Sequence, residues 1–321
     1  MKNRPQAVIL HYSPFAYGAH GLPLIAPFLP LVARILRLRV TTILHEVYFP
    51  WGRSGLRGLI WALFQRAALV PVLLGSSSLI VTSEEQRERL SNPFVRSGRR
   101  AFKIPVWSTI PVQLQDAGDL GNRPEAQKVL GTFGWARRDA AIDVVLDAVR
   151  SLVSERFDIK LLFIGAPGPH SHEAQQWKEA AASRGIGSRV VFTGEKSEPE
   201  QISVDLSSLD VYLHVDPAGV STGRTSLAAA FAHGRPIVAF VGDKRPAGLR
   251  EPEELLLVPL DPEALTASLK QVLTSNSLNR RLSEGAQRAY RREMAVARGV
   301  SLLSAIATGA TFQNPPAGGR I

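Results

Sequence analysis

The stretch KVLGTFGWARRDAAIDVVLDAVRSLVSERFDIKLLFIG, residues 128–165, decides the reading of the fold. It opens on a short apolar run, Val129 to Phe133, passes a loop with two glycines, and enters a segment where Ile142, Val145, Leu146, Val149 and Leu152 fall at helical spacing. It closes on a second apolar run, Lys160 to Gly165. Run, amphipathic helix and run together make a βαβ unit with parallel strands. Further runs follow at Arg189 to Gly194, Val211 to Val215, Pro236 to Val241 and Leu255 to Leu260, and Leu265, Leu269, Val272 and Leu273 again keep helical spacing. Six strands alternating with helices amount to a complete Rossmann-like domain.

Upstream the same grammar gives strands at Ala7 to Tyr12, Val40 to Leu44, Leu79 to Thr82 and Ala101 to Val106. The expected fold class is therefore α/β with two Rossmann-like domains, the N-terminal one incomplete. Residues 1–110 form that first domain. Residues 111–127, rich in Gln, Asp, Gly, Asn and Pro without period, form a linker, and residues 128–275 the second domain. Residues 276–308 read as arginine-rich C-terminal helices, and 309–321, with Asn-Pro-Pro-Ala-Gly-Gly, as a disordered tail.

Hydrophobic residues make up 45% and charged residues 21%, the balance of a globular chain. The absence of cysteine excludes disulfides, thiolate metal sites and a cysteine nucleophile, and fits a reducing cytoplasm. The run Ala7 to Leu10 is too short for an export signal, and prolines and arginines interrupt Gly21 to Thr82, so no bilayer span is expected. Lys and Arg exceed Asp and Glu by ten, a balance that attracts phosphates on nucleotides, nucleic acid or anionic lipid. Basic runs interleaved with aromatics are missing, which argues against nucleic acid.

In open parallel sheets, ligands bind where strand C-termini feed helix N-termini, whose free N–H groups favour anions. Three such loops stand out. Residues 131–139 carry Gly131, Gly134, Arg137 and Arg138, a set that suits a diphosphate and equally describes a surface turn with solvated arginines. Gly165 opens the second, followed by His170 and His172, which have no third ligand nearby and define no metal site. The third, residues 216–226, holds Gly219, Ser221, Thr222, Gly223, Arg224, Thr225 and Ser226 ahead of an Ala-rich helix. There Thr225 or Ser226 acts as a helix cap, contacts a ligand, or does both.

Ala232-His233-Gly234-Arg235-Pro236-Ile237-Val238 resembles the A-x-G-x-P-V-V segment of retaining family-4 glycosyltransferases, enzymes of the two-Rossmann GT-B architecture. Leu162 to Gly165, Val191 to Gly194 and Leu209 to Leu213 resemble successive strand signatures of that family's donor domain, in the same order. Two departures accompany the likeness. The positions of the family's paired Glu, which contact donor sugar and ribose, hold Ser221 and Ala229. The strand and glycine-rich loop that precede the region similar to His11-Tyr12-Ser13-Pro14 are missing, so a shortened first domain with an uncovered sheet edge, open to a protein partner, is expected.

The resemblance implies a hexosyltransferase-type enzyme. It would move a sugar from a nucleoside-diphosphate sugar to a glycan or lipid-linked acceptor hydroxyl, with retention and without metal or other cofactor. Arg137, Arg138 and Arg224 would stabilise the departing diphosphate, and His45 would face the donor sugar. Gly134, Gly165, Gly219, Ser221, Thr222, Gly223, Thr225 and Ser226 would bind the donor. A cytoplasmic protein is expected, and Arg53, Arg57, Trp61, Phe64 and Arg66 read either as a basic face with aromatic edges in peripheral contact with an anionic membrane, as lipid-linked acceptors would suit, or as part of an ordinary buried helix over Leu59 to Leu74. A degenerate GT-B protein that binds a nucleotide, glycan or partner subunit without turnover is the alternative.

Overall fold

The computed structural model describes residues 7–18, 21–52, 55–91, 101–113, 124, 126–134, 141–165, 168, 170–244 and 248–309. The chain divides into two units, Met1–Pro105 with Val296–Ile321, and Val106–Ala295.

In the first unit, β1 (Ala7–Tyr12), β2 (Arg39–Leu44), β3 (Ser78–Val81) and β4 (Ala101–Lys103) pair in that order, all parallel. Between them lie α1 (Pro14–Tyr17), α2 (Leu29–Ile35), α3 (Gly55–Gly75) and α4 (Glu84–Ser91). The core gathers Tyr12, Leu44, Leu69, Val72, Leu73, Leu79 and Val81. Contrary to the reading of Gly21 to Thr82 as too interrupted, α3 is long and apolar enough to cross a membrane by length and composition. Arg57 and Arg66 are its only charges. One of its faces, with Ala62, Leu69, Val72 and Leu73, is nevertheless buried in this core.

The second unit contains β5 (Gln127–Phe133), α5 (Ile142–Ser154), β6 (Asp158–Ile164), α6 (His172–Ser183), β7 (Val190–Phe192), α7 (Pro199–Ser207) and β8 (Val211–His214). It continues with α8 (Thr225–Ala232), β9 (Ile237–Phe240), β10 (Leu256–Val258), α9 (Pro262–Thr274) and α10 (Asn276–Ala289). Its six strands are parallel in the order β10-β9-β8-β5-β6-β7, the 3-2-1-4-5-6 order of a Rossmann sheet. Alternate strand residues feed two cores, as the two-residue period of a strand requires. Leu130, Leu161, Leu213 and Val238 pack with α5 and α9 on one face. Val129, Leu162, Tyr212 and Ile237 pack with α8 and α10 on the other. Burial on both faces explains why these strands read as continuous apolar runs.

The helices after residue 275 divide between the units. Helix α10 brings Ala286 and Ala289 into the second core, whereas α11 (Val296–Thr308) packs on β1 and β2. Val106, ahead of the expected linker, already belongs to the second unit, where its N–H donates to the Thr222 carbonyl at 3.1 Å.

One close approach in α10 gives a test of this packing. A Cβ added at Gly285 would lie 1.8 Å from the Glu253 carbonyl oxygen and 3.1 Å from Glu254 Cα, so the loop before β10 rests on the bare helix backbone. Gly285→Ala must push that loop away and is expected to cost about 2 kcal/mol, read as a lowered Tm in thermal unfolding. A melting curve that overlays the parent's would show that the loop yields without strain.

Candidate functional site

The order of strands reverses between β5 and β8, and a cleft of about 480 Å³ opens at their C-terminal ends. A binding crevice is expected at such a switch point, because the connecting helices leave the sheet on opposite faces there. One end of the cleft is lined by Thr132, Phe133 and Gly134 from β5, Tyr212, His214 and Asp216 from the end of β8, and Gly223 to Ser226 at the start of α8. Phe163, Trp177 and, after β7, Glu195 and Lys196 complete the lining, with Gly165 beside Phe133 and Gly134.

The start of α8 is built to meet an anion. Arg224 is the N-cap in extended conformation and makes no side-chain cap hydrogen bond, and the first turn carries no acidic residue. The positive end of the helix is therefore not neutralised by its own sequence. Thr225 and Ser226 lie inside the helix rather than at its cap. Ser226 is instead hydrogen-bonded to the buried Tyr212 phenol, which also bonds Thr132 and the Phe133 backbone. Burial pushes that phenol up to about 12 in spite of these bonds, so it stays protonated as part of the cleft floor.

Beside it stands a compact charge cluster. Asp216, 5% exposed, accepts from Arg224 at 3.0 Å and from Lys244 at 2.8 Å on the same oxygen, while its other oxygen takes the Ala218 N–H at 3.0 Å. One buried carboxylate with two cations leaves a net positive charge at this end of the cleft, and Arg224 is the cation of the two that lines it.

The loop from 216 to 223 is held by backbone contact with residues 242–244. Gly219, at φ +95°, lies so close to Lys244 that a Cβ would meet its carbonyl oxygen at 2.6 Å. Gly219, Ser221 and Thr222 thus shape the loop, and the two hydroxyl residues are buried outside the cleft lining. Ala229, where the resemblance places ribose contact, is fully buried in the second core and offers the cleft no surface.

Of the residues singled out from sequence, the fold brings together Gly134, Gly165, Gly223, Arg224, Thr225 and Ser226. Arg137 and Arg138 lie outside the described residues. His45 belongs to the first unit, at the end of β2, where its Nε2 stands 2.9 Å from His11 Nδ1 with the rings stacked. Desolvation and the neighbouring His11 lower its basicity below that of an ordinary imidazole, against the opposing charge of Glu46. Sequence reading passed over Tyr212, Asp216 as a charge partner, Lys244 and Trp177. A signal existed for one of them: Asp216 directly follows the run Val211 to Val215, at the strand end where sites form. Among the described residues no group of three or more His, Asp or Glu could hold a metal ion.

Comparison with known proteins follows the same division. Residues 127–275, which carry this sheet and cleft, match the family described as glycosyl transferases group 1. The lipopolysaccharide core biosynthesis mannosyltransferase LpsB of Rhizobium meliloti is 25% identical over 203 residues, 54% of this chain and 56% of that protein. The chain thus spans little more than half the length of this curated relative. Among solved structures, Anabaena HepE in complex with UDP is similar at a TM-score of 0.70 and 15% identity, over 94% of this chain and 79% of that one. Sucrose-phosphate synthase from Thermosynechococcus elongatus is similar at 0.66 and 18% identity, over 86% and 70%. At these identities the likeness to solved structures is one of fold. The chain has the two parallel α/β sheets of GT-B glycosyltransferases, and residues 127–275 are its match to glycosyl transferases group 1.

Proposed function

We propose that this protein transfers a glycosyl group, with retention, from a nucleoside-diphosphate sugar to an acceptor hydroxyl in glycan or glycolipid synthesis. The observation that carries the reading is the cationic, uncapped start of α8 at the switch point of a Rossmann sheet. A diphosphate placed there meets helix N–H groups and the Arg224 guanidinium. The aromatic wall of Phe163 and Trp177 suits the nucleobase. HepE is described with UDP bound, and LpsB as a mannosyltransferase, which supports a nucleotide sugar as the donor class.

In this reaction the bond from the anomeric carbon to the diphosphate breaks as the acceptor oxygen bonds to that carbon on the same face. The acceptor proton passes to a departing phosphate oxygen. The work of the protein is then to hold the growing charge on the diphosphate, which fixed cations and helix dipoles do without a metal.

Calorimetry with UDP, GDP and ADP, followed by nucleotide release from the matching sugar donors, tests the proposal. Saturable binding of one nucleotide and slow release from its donors are expected, and Arg137→Ala with Arg138→Ala should weaken binding about tenfold or more. If none of the three nucleotides binds, the assignment of the cleft fails. Binding without turnover of any donor would leave a nucleotide-binding protein in place of a transferase.

A further inference from the structure

We infer that Tyr212 is a positioning residue of the cleft: its phenol ties the first turn of α8 to the end of β5 and so sets the spacing at which the helix start receives a diphosphate. The inference rests on the reading of this cleft as a nucleoside-diphosphate site. The register between β5 and β8 runs over Leu130 with Val211 and Gly131 with Tyr212. Beyond it each strand keeps its outer neighbour, Thr132 and Phe133 on β6 and Leu213 and His214 on β9, while the two inner edges part. The crevice opens where this ladder stops. Two strands that part give up the ladder bonds that fix their separation. There the Tyr212 phenol takes over the task, bonded to the Thr132 side chain and the Phe133 backbone on β5 and to Ser226 on α8.

The ring that carries this phenol is fixed. Tyr212 is buried in the core that Val129, Leu227 and Phe231 also build, so β8 holds it among residues of β5 and α8. A phenylalanine would fill that core without burying a hydroxyl. The hydroxyl is there nonetheless, and its three partners match the one donor and two acceptor sites of a phenol. Those partners converge on the cleft, since Thr132, Phe133 and Ser226 all line it. The helix start is close to β5 at a second point, where a Cβ on Gly134 would lie 3.4 Å from Ser226 Cβ. Ser226 is the second residue of α8, and Arg224 at the N-cap makes no side-chain cap hydrogen bond that would anchor the turn instead. The first-turn N–H groups, which have no intrahelical partner, are therefore held in place through Ser226 and Tyr212. A seat that is fixed before its anion arrives avoids the cost of ordering it on binding.

Calorimetry of the full chain with UDP, GDP and ADP, with a melting curve for each variant, tests it. Tyr212→Phe keeps the ring and removes the hydroxyl, and Ser226→Ala removes the same bond from the helix side. For whichever nucleoside diphosphate binds the parent, each is expected to weaken affinity roughly fivefold. Because both break one link, the double variant should bind about as each single one does, which is the sign of coupled sites. Where Tyr212→Phe fails to fold, Thr132→Val with Ser226→Ala gives the same cycle from the two ends of the link. Tyr290→Phe removes another phenol of this unit, bonded to the Ser108 backbone outside the cleft lining, and should leave affinity unchanged whatever it does to the melting temperature. The inference is overturned if Tyr212→Phe binds as the parent does, if the losses from Tyr212 and Ser226 add, or if Tyr290→Phe weakens affinity as much. A parent that binds none of the three nucleotides would overturn the reading of the cleft itself, and this inference with it.

Discussion

Arg292→Ala is expected to destabilise the second unit by about 3 kcal/mol, the cost of leaving a buried carboxylate without its cation. Arg292 follows α10 and grips Glu254, which is almost wholly buried, with two nitrogens at 2.6 and 2.9 Å. Glu254 also receives the Arg250 N–H at 2.9 Å, and Arg292 donates to the Gly248 carbonyl at 2.8 Å. The pair therefore ties the stretch ahead of β10 to the end of the helical layer. Burial alone would raise the Glu254 carboxyl. The hydrogen bonds from Arg292 and from the Arg250 backbone outweigh it and hold the group below its ordinary value.

That direction fixes the pH dependence. A group whose pKa is depressed by folding contributes stability above its unfolded pKa and loses it as pH falls through the folded one. The difference in melting temperature between parent and Arg292→Ala should thus be full at neutral pH and shrink below a pH of about 4. For a unit of this size, 3 kcal/mol corresponds to a shift of roughly 6–12 °C. A shift of less than a degree at pH 7, or one unchanged at pH 3, would show that the pair is not what secures this corner.

The strands of the second unit, whose sheet packs against helices on both faces, leave apolar runs, and for that reason they were legible from sequence to within a few residues. Helix α3 was harder to read for the opposite cause. When both faces of a helix are apolar, its periodicity vanishes, and nothing local tells which stripe meets the core. The candidate site was legible by position and not by partner. Strand ends announced the loops at Gly134, Gly165 and 216–226, but Asp216, Arg224 and Lys244 meet only because β8 and β9 are neighbours. Likewise Gly219 looked like a ligand-facing glycine, when the conformation it supplies serves the approach of residues 242–244.

The cluster around Asp216 sets up the sharpest test of the diphosphate assignment, because its three members should shift nucleotide affinity by different amounts and in different directions. Arg224→Met removes a charge-assisted donor from the cleft and takes one cation from Asp216, so its carboxylate faces the incoming phosphates with less screening. Each charged hydrogen bond contributes about 1.5–3 kcal/mol, and a loss of roughly 30-fold in affinity is expected for the nucleoside diphosphate that binds the parent. Lys244→Met removes the same screening without removing a cleft donor, since Lys244 does not line the cleft, and should cost only about threefold. Asp216→Asn keeps the size of the side chain and frees Arg224 from its carboxylate, so affinity should hold or rise. Calorimetric dissociation constants for the three variants, each checked for an intact melting transition, read out this order. If Arg224→Met binds as the parent does while Lys244→Met does not, the phosphates sit away from the start of α8, and the diphosphate assignment of this end of the cleft is wrong.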